Sequence, residues 1–207
     1  MDIPETVNGG RPTITGGLLK SKYVAEGLHF HWGSPTTRGS EHIISRRQYD
    51  VEMHIVHRNI RYATVSEAAQ YSDGLAVLGI MFKIANYPSK FYPGLSRVFA
   101  QIPNVIEYDS TAQVSGSITL GQLLGDLNTA DFFTYKGSLT VPDCHEAVTW
   151  TVFPHALPLP YEFVSTFWNM RDSNGDVLTD TFRLTQPRNN RAVVYRTTKD
   201  LSNIFLG

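Results

Sequence analysis

Two stretches decide the reading, Gly27-Leu28-His29-Phe30-His31-Trp32 and Tyr49-Asp50-Val51-Glu52-Met53-His54-Ile55-Val56-His57. Both largely alternate in side-chain character with period two, which predicts strands whose successive residues face opposite ways. On that arithmetic His29 and His31 share one face, while Leu28, Phe30 and Trp32 take the other. In the second stretch Glu52, His54 and Val56 share a face, against Val51, Met53 and Ile55 on a core face. The connection 33–47 is rich in Gly, Ser, Thr and Pro, which suits an antiparallel return that sets His54 opposite the first pair. Three imidazoles then converge on one point with a carboxylate beside them. Three such ligands with a fourth position open make a catalytic zinc site, so Zn2+ is the predicted cofactor. His57 falls on the face opposite His54, and His42, His145 and His155 fall in or near loops or strand edges; these four read as ordinary hydrogen-bonded residues.

Outward from this pair, further period-two segments at 75–84, 146–153 and 191–197, with 23–32 and 49–57, predict a sheet as the main scaffold. Helical spacing is confined to short pieces around 94–101, 117–124 and 161–170, where Phe163, Val164 and Phe167 form an apolar stripe expected to pack on the sheet. The fold class is therefore mainly β with short peripheral helices. The 207 residues, 42% of them hydrophobic, suffice for one packed domain spanning 1–207, with 198–207 read as a C-terminal tail. Basic and acidic residues nearly balance at a net charge of -1 and form no runs, which argues against nucleic acid as a partner. The longest apolar run, 74–84, contains Lys83 and is too short to span a bilayer, and residues 1–11 lack the pattern of a secretory signal. Cys144 is the only cysteine, which excludes an internal disulfide and a cysteine-rich metal site.

Taken in order, His29-Phe30-His31-Trp32-Gly33, Gly39-Ser40-Glu41-His42 and Glu52-Met53-His54-Ile55-Val56-His57 resemble successive signature blocks of the α-class carbonic anhydrases. The likeness continues through Leu75-Ala76-Val77-Leu78-Gly79, Gly137-Ser138-Leu139-Thr140, Glu146-Ala147-Val148-Thr149-Trp150 and Phe182-Arg183 with Gln186-Pro187 and Arg191. It implies a twisted, mostly antiparallel sheet of about ten strands in the complete domain and the zinc-dependent, reversible hydration of carbon dioxide to bicarbonate. Carried over by position, it makes His29, His31 and His54 the zinc ligands, the residues that strand alternation had already grouped. It gives Thr140 a hydrogen bond from zinc-bound hydroxide and a donation of its own to Glu41, and makes Glu52 the carboxylate that orients a ligand imidazole. Val56, Val77, Leu139, Val141 and Trp150 become the apolar wall for carbon dioxide, and sulfonamide-type inhibitors become expected ligands of a monomer.

The same comparison shows departures. The N-terminal segments of the family have no counterpart before residues 8–17, so the fold is expected to be N-terminally incomplete. Gly27 stands where many members carry a glutamine that bonds the first ligand histidine, and Val141 stands where active members often have a polar residue. Cys144 matches the position that pairs with an N-terminal cysteine in extracellular members, which points to a secreted parent protein, with a cytoplasmic one as the alternative. The competing functional readings are a non-catalytic carbonic anhydrase-related binding protein, or an inactive fragment, with the ligand histidines retained. Cupin-like metalloenzymes also use a His-x-His pair, but there a glutamate ligand follows within a few residues, and Glu41 lies too far along.

Overall fold

A computed structural model describes residues 1–5, 9–86 and 92–198. Its scaffold is a seven-stranded sheet formed by β1 (Thr13–Ile14), β2 (Tyr23–Trp32), β3 (Val51–Asn59), β4 (Leu75–Ala85), β5 (Phe132–Gly137), β6 (Val148–Pro160) and β7 (Val193–Arg196), in spatial order β1-β2-β3-β4-β6-β5-β7. Every pairing is antiparallel except β4 with β6. The sheet is thus mixed and mostly antiparallel, as the family resemblance implied. The helices are short: α1 (Val65–Ala68), α2 (Pro93–Phe99), α3 (Leu120–Leu124) and α4 (Tyr161–Phe167). None among the described residues is long and apolar enough to cross a membrane. Of the expected tail at 198–207, all but the first residue lies outside the described residues.

Alternation along the strands sorts the sheet into two chemically different faces. Leu28, Met53, Ile55, Ile80, Phe82 and Phe153 belong to one core, into which α2, α3 and α4 insert Leu95, Phe99, Leu123, Val164 and Phe167. Burying one large apolar side chain there contributes about 1.5–3 kcal/mol, so this face carries much of the stability. The opposite face holds the polar cluster and a second apolar group that includes Val77, Met81, Trp150 and Val152.

Register aligns residues distant in sequence. His29, His54, Gly79, Val152, Phe133 and Tyr195 stand side by side across six strands. The neighbouring row reads Gly27, Val56, Val77, Trp150, Tyr135 and Val193. Because directly paired residues share a face, the histidines and these apolar side chains line one continuous surface.

Candidate metal centre

The hydrogen-bonded register His29↔His54 and His31↔Glu52 confirms that β2 and β3 run antiparallel with their polar positions on a common face. The loop between them is fastened back onto itself: the N–H groups of Gly39 and Ser40 donate to the Tyr49 carbonyl, and Ser40 Oγ accepts from Tyr49 N–H. A Cβ on Gly39 would lie 2.1 Å from Gly33 N, so only glycine permits this close return. The loop thereby delivers Glu41 and His42 beside the strand histidines.

Each imidazole is oriented by what holds its other nitrogen. His31 Nδ1–H donates to the Thr181 carbonyl at 2.7 Å, leaving Nε2 facing inward, buried and without a hydrogen-bond partner among the described residues. His54 Nε2–H donates to Glu52 Oε1 at 2.7 Å, leaving Nδ1 only 3.3 Å from His29 Nε2. Such bonds select the tautomer that presents a lone pair to a cation. One nitrogen from each of His29, His31 and His54 lies within 4.8 Å of the others. Among the described residues no hydrogen bond fixes His29 Nδ1. Gly27 contributes no side chain there, and a Cβ at that position would come within 3.1 Å of the Met1 carbonyl oxygen.

Desolvation by the packed surroundings of its ring, reinforced by the neighbouring imidazoles, pushes His29 down to about 3 although the residue is exposed at the surface, and burial with His54 nearby lowers His31 too, although Glu41 and the Thr181 carbonyl oppose the shift. Both are therefore neutral at pH 7 and hold free lone pairs, the state a metal ligand requires. Glu41 is buried, its Oε1 accepts from Arg183 N–H at 2.8 Å, and its Oε2, 3.4 Å from His31 Nε2, has no hydrogen-bond partner among the described residues, so the bond expected from the Thr140 hydroxyl is not formed in this structure. A buried imidazole nitrogen and a buried carboxylate oxygen that face each other without hydrogen-bond partners among the described residues fit a site able to hold a cation. Soft-to-borderline nitrogen donors suit zinc better than magnesium or calcium.

Glu52 is the hub beneath this cluster. Fully buried, it accepts from His54 Nε2, from His42 Nδ1 at 2.6 Å and from His42 N–H at 2.8 Å. Burial alone would raise its pKa, but His42 and His54 outweigh that cost and hold it well below the ordinary carboxylate range. The same pairing overcomes burial at His42 and raises that imidazole. His42 Nε2 meets the Tyr135 hydroxyl at 2.7 Å, and the rings of His42 and His54 each pack edge-on against Trp150. Gly79 makes room for the hub, since a Cβ there would sit 3.0 Å from Glu52 Oε1.

The structure thus brings together His29, His31, His54, Glu41 and Glu52. His42 belongs to the same network, where sequence reading had set it apart as an ordinary polar residue; its place directly after Glu41 in the signature block was the available signal. Thr181 was missed altogether. His57 does lie on the other face, buried and bonded to the Ile55 carbonyl; His145 and His155 stand away from the cluster, near Asp143 and Asp131. Val56, Val77 and Trp150 form part of the row beside the histidines, while Leu139 packs against the same apolar group and Val141 is 51% exposed. Thr140 is half-buried and, with Glu41, His42 and Trp150, lines a cavity of about 530 Å³ that extends toward β5 and β7.

Fold and site together define a mostly β protein that gathers three imidazoles from adjacent antiparallel strands where they could hold one metal ion, with a hydrogen-bonded carboxylate behind them. Residues 2–197 match the description of the eukaryotic-type carbonic anhydrase, and the chain belongs to that family. It is 31% identical to carbonic anhydrase 15 of Mus musculus over 189 residues (88% of this chain, 57% of the relative). It is 32% identical to carbonic anhydrase 6 of Homo sapiens over 196 residues (93% and 60%), and 37% identical to human carbonic anhydrase 12 over 146 residues (70% and 40%). The chain thus spans at most 60% of the length of these relatives. Family membership supports carbon dioxide hydration and zinc dependence in general.

Proposed function

We propose that this chain holds Zn2+ through His29, His31 and His54 and catalyses the reversible hydration of carbon dioxide to bicarbonate and a proton. The observation that carries the reading is the convergence of three ligand nitrogens, from buried His31 and His54 and from solvent-exposed His29, on a point beside the Glu41 oxygen that has no hydrogen-bond partner among the described residues. When bound, zinc supplies a Lewis acid that brings the pKa of water to about 7, a value known from carbonic anhydrase itself. The chain's residues do the rest. Glu52 and the Thr181 carbonyl fix the tautomers of His54 and His31. In the zinc-loaded chain Glu41, anchored by Arg183 N–H, would accept a hydrogen bond from the Thr140 hydroxyl, whose oxygen would then orient the nucleophile. Val56, Val77, Leu139 and Trp150 supply a dry wall for an uncharged linear substrate, and Val141 stands at the exposed rim. Sulfonamide-type anions would compete for the same site. Cys144, a half-buried free thiol, is the residue that supports an extracellular parent protein.

The test is the stopped-flow hydration rate of the purified chain, normalised to bound zinc. A rate above the uncatalysed reaction that disappears with the metal in His54→Ala supports the reading. The lack of a hydrogen bond between Thr140 and Glu41 among the described residues favours one second reading, a folded but non-catalytic zinc protein. One zinc per chain with background hydration would establish it and sink the enzymatic one.

A further inference from the structure

The three imidazoles of the metal centre are not held alike. His31 Nδ1 is tied to the Thr181 carbonyl and His54 Nε2 to Glu52 Oε1, each at 2.7 Å. His54 is also gripped from the side, its ring edge-on to Trp150 with centroids 4.7 Å apart. His29 has neither support. Its one hydrogen-bond contact among the described residues is at Nε2, toward His54, and the rings it packs against are those of His31 and His54, at 5.1 Å each. The reason lies two residues back along β2. Side chains at i and i+2 stand side by side on one face of a strand. Glu52 holds that place before His54 and fixes its tautomer. The corresponding neighbour of His29 is Gly27, paired with Val56 in the register, which has no side chain to offer. The backbone nearest to it is no substitute, because the Met1 carbonyl oxygen is engaged by Leu28 N–H at 2.8 Å. Nor does the chain need a glycine there, since Gly27 is not among the residues with positive φ.

We propose, resting on the reading that the centre holds zinc, that His29 is its exchangeable ligand: the metal enters and leaves by release of His29 while His31 and His54 stay in place, and the glycine at position 27 sets how fast. An imidazole whose second nitrogen is bonded keeps the tautomer and orientation that a metal needs, so a metal contact that opens thermally closes again before the ion escapes. Without such a bond the His29 ring turns about its own axis once its contact opens, and recapture competes with loss of an ion held by two nitrogens. The same freedom lets the other tautomer of His29, with the proton on Nε2, persist in the metal-free chain. Zinc occupancy then follows the free zinc around the protein more closely than three fixed ligands would allow.

The experiment follows transfer of zinc from the loaded chain to a chromophoric chelator at pH 7.5, in the parent, Gly27→Ala and Gly27→Gln, with circular dichroism checking that all three fold. Gly27→Gln brings an amide beside the ring two residues on and should slow zinc release by about 10–100-fold, the span found for ligand-orienting partners, carbonic anhydrases among them. Gly27→Ala adds the same Cβ, 3.1 Å from the Met1 carbonyl oxygen, without the amide, and should not slow release. Equilibrium competition on the ligand deletions gives an independent reading: His29→Ala should lose at least about tenfold less zinc affinity than His31→Ala or His54→Ala. The proposal is overturned if Gly27→Gln releases zinc no more slowly than Gly27→Ala, or if His29→Ala loses as much affinity as His54→Ala. A folded parent chain that takes up no zinc at all would instead overturn the zinc reading, and this proposal with it.

Discussion

Replacing Glu52 by glutamine exchanges one buried carboxylate oxygen for an NH2 group at the centre of three hydrogen bonds. Oε1 accepts from His54 Nε2 at 2.7 Å and His42 Nδ1 at 2.6 Å, and Oε2 from His42 N–H at 2.8 Å. If the amide oxygen keeps the two imidazoles, its NH2 confronts the His42 N–H, donor against donor, in a fully buried position. If the amide turns over, the NH2 faces both rings, and His54 must move its proton from Nε2 to Nδ1, the atom beside His29 Nε2. The first outcome leaves a buried donor unsatisfied at about 1–3 kcal/mol. The second protonates the nitrogen that would bind metal. Ligand-orienting partners of this kind change metal affinity by about 10–100-fold, a range drawn in part from carbonic anhydrase, or about 1.4–2.7 kcal/mol. We therefore expect the zinc dissociation constant of Glu52→Gln, measured by chelator competition at pH 7.5, to rise by that factor. Urea unfolding of the metal-free protein should show a loss of about 1–3 kcal/mol. A folded variant that binds zinc as tightly as the parent would refute the tautomer argument.

Three other outcomes follow from the same geometry. Gly79→Ala places a methyl 3.0 Å from Glu52 Oε1, so it should displace the hub, destabilise by about 1–3 kcal/mol and weaken zinc binding, all readable in one chelator and urea series. Thr140→Ala should keep stoichiometric zinc yet lower kcat/KM about a hundredfold, the size of one lost transition-state hydrogen bond; an unchanged rate would remove Thr140 from the chemistry. His57, buried and lowered to about 4 by desolvation, stays neutral in the folded state while the unfolded chain takes up its proton below about 6.5. Stability should therefore fall as pH drops from 6.5 toward 4, by on the order of 3 kcal/mol, and His57→Leu should flatten that slope in urea titrations.

Much of the centre was legible because strand alternation is a local rule. The pattern His29-x-His31 and the spacing Glu52-x-His54 place side chains on faces whatever the rest of the chain does, and the turn-rich composition of the connection 33–47 suits an antiparallel return. The core face of Met53 and Ile55 followed from the same parity. What escaped was set at long range. The carbonyl that fixes the His31 tautomer comes from Thr181, 150 residues away, and the N–H that anchors Glu41 comes from Arg183. Strand β5 went unread, although its register with β6 brings Tyr135 beside Trp150 and within reach of His42.

The sequence by itself therefore determined which side chains share a face of the sheet, since period two and residue chemistry are properties of a few neighbours. The tertiary structure decided which nitrogen each histidine presents, how Glu52 and His42 lock together and which strands lie side by side, because hydrogen-bond partners and strand order depend on segments that only folding brings into contact.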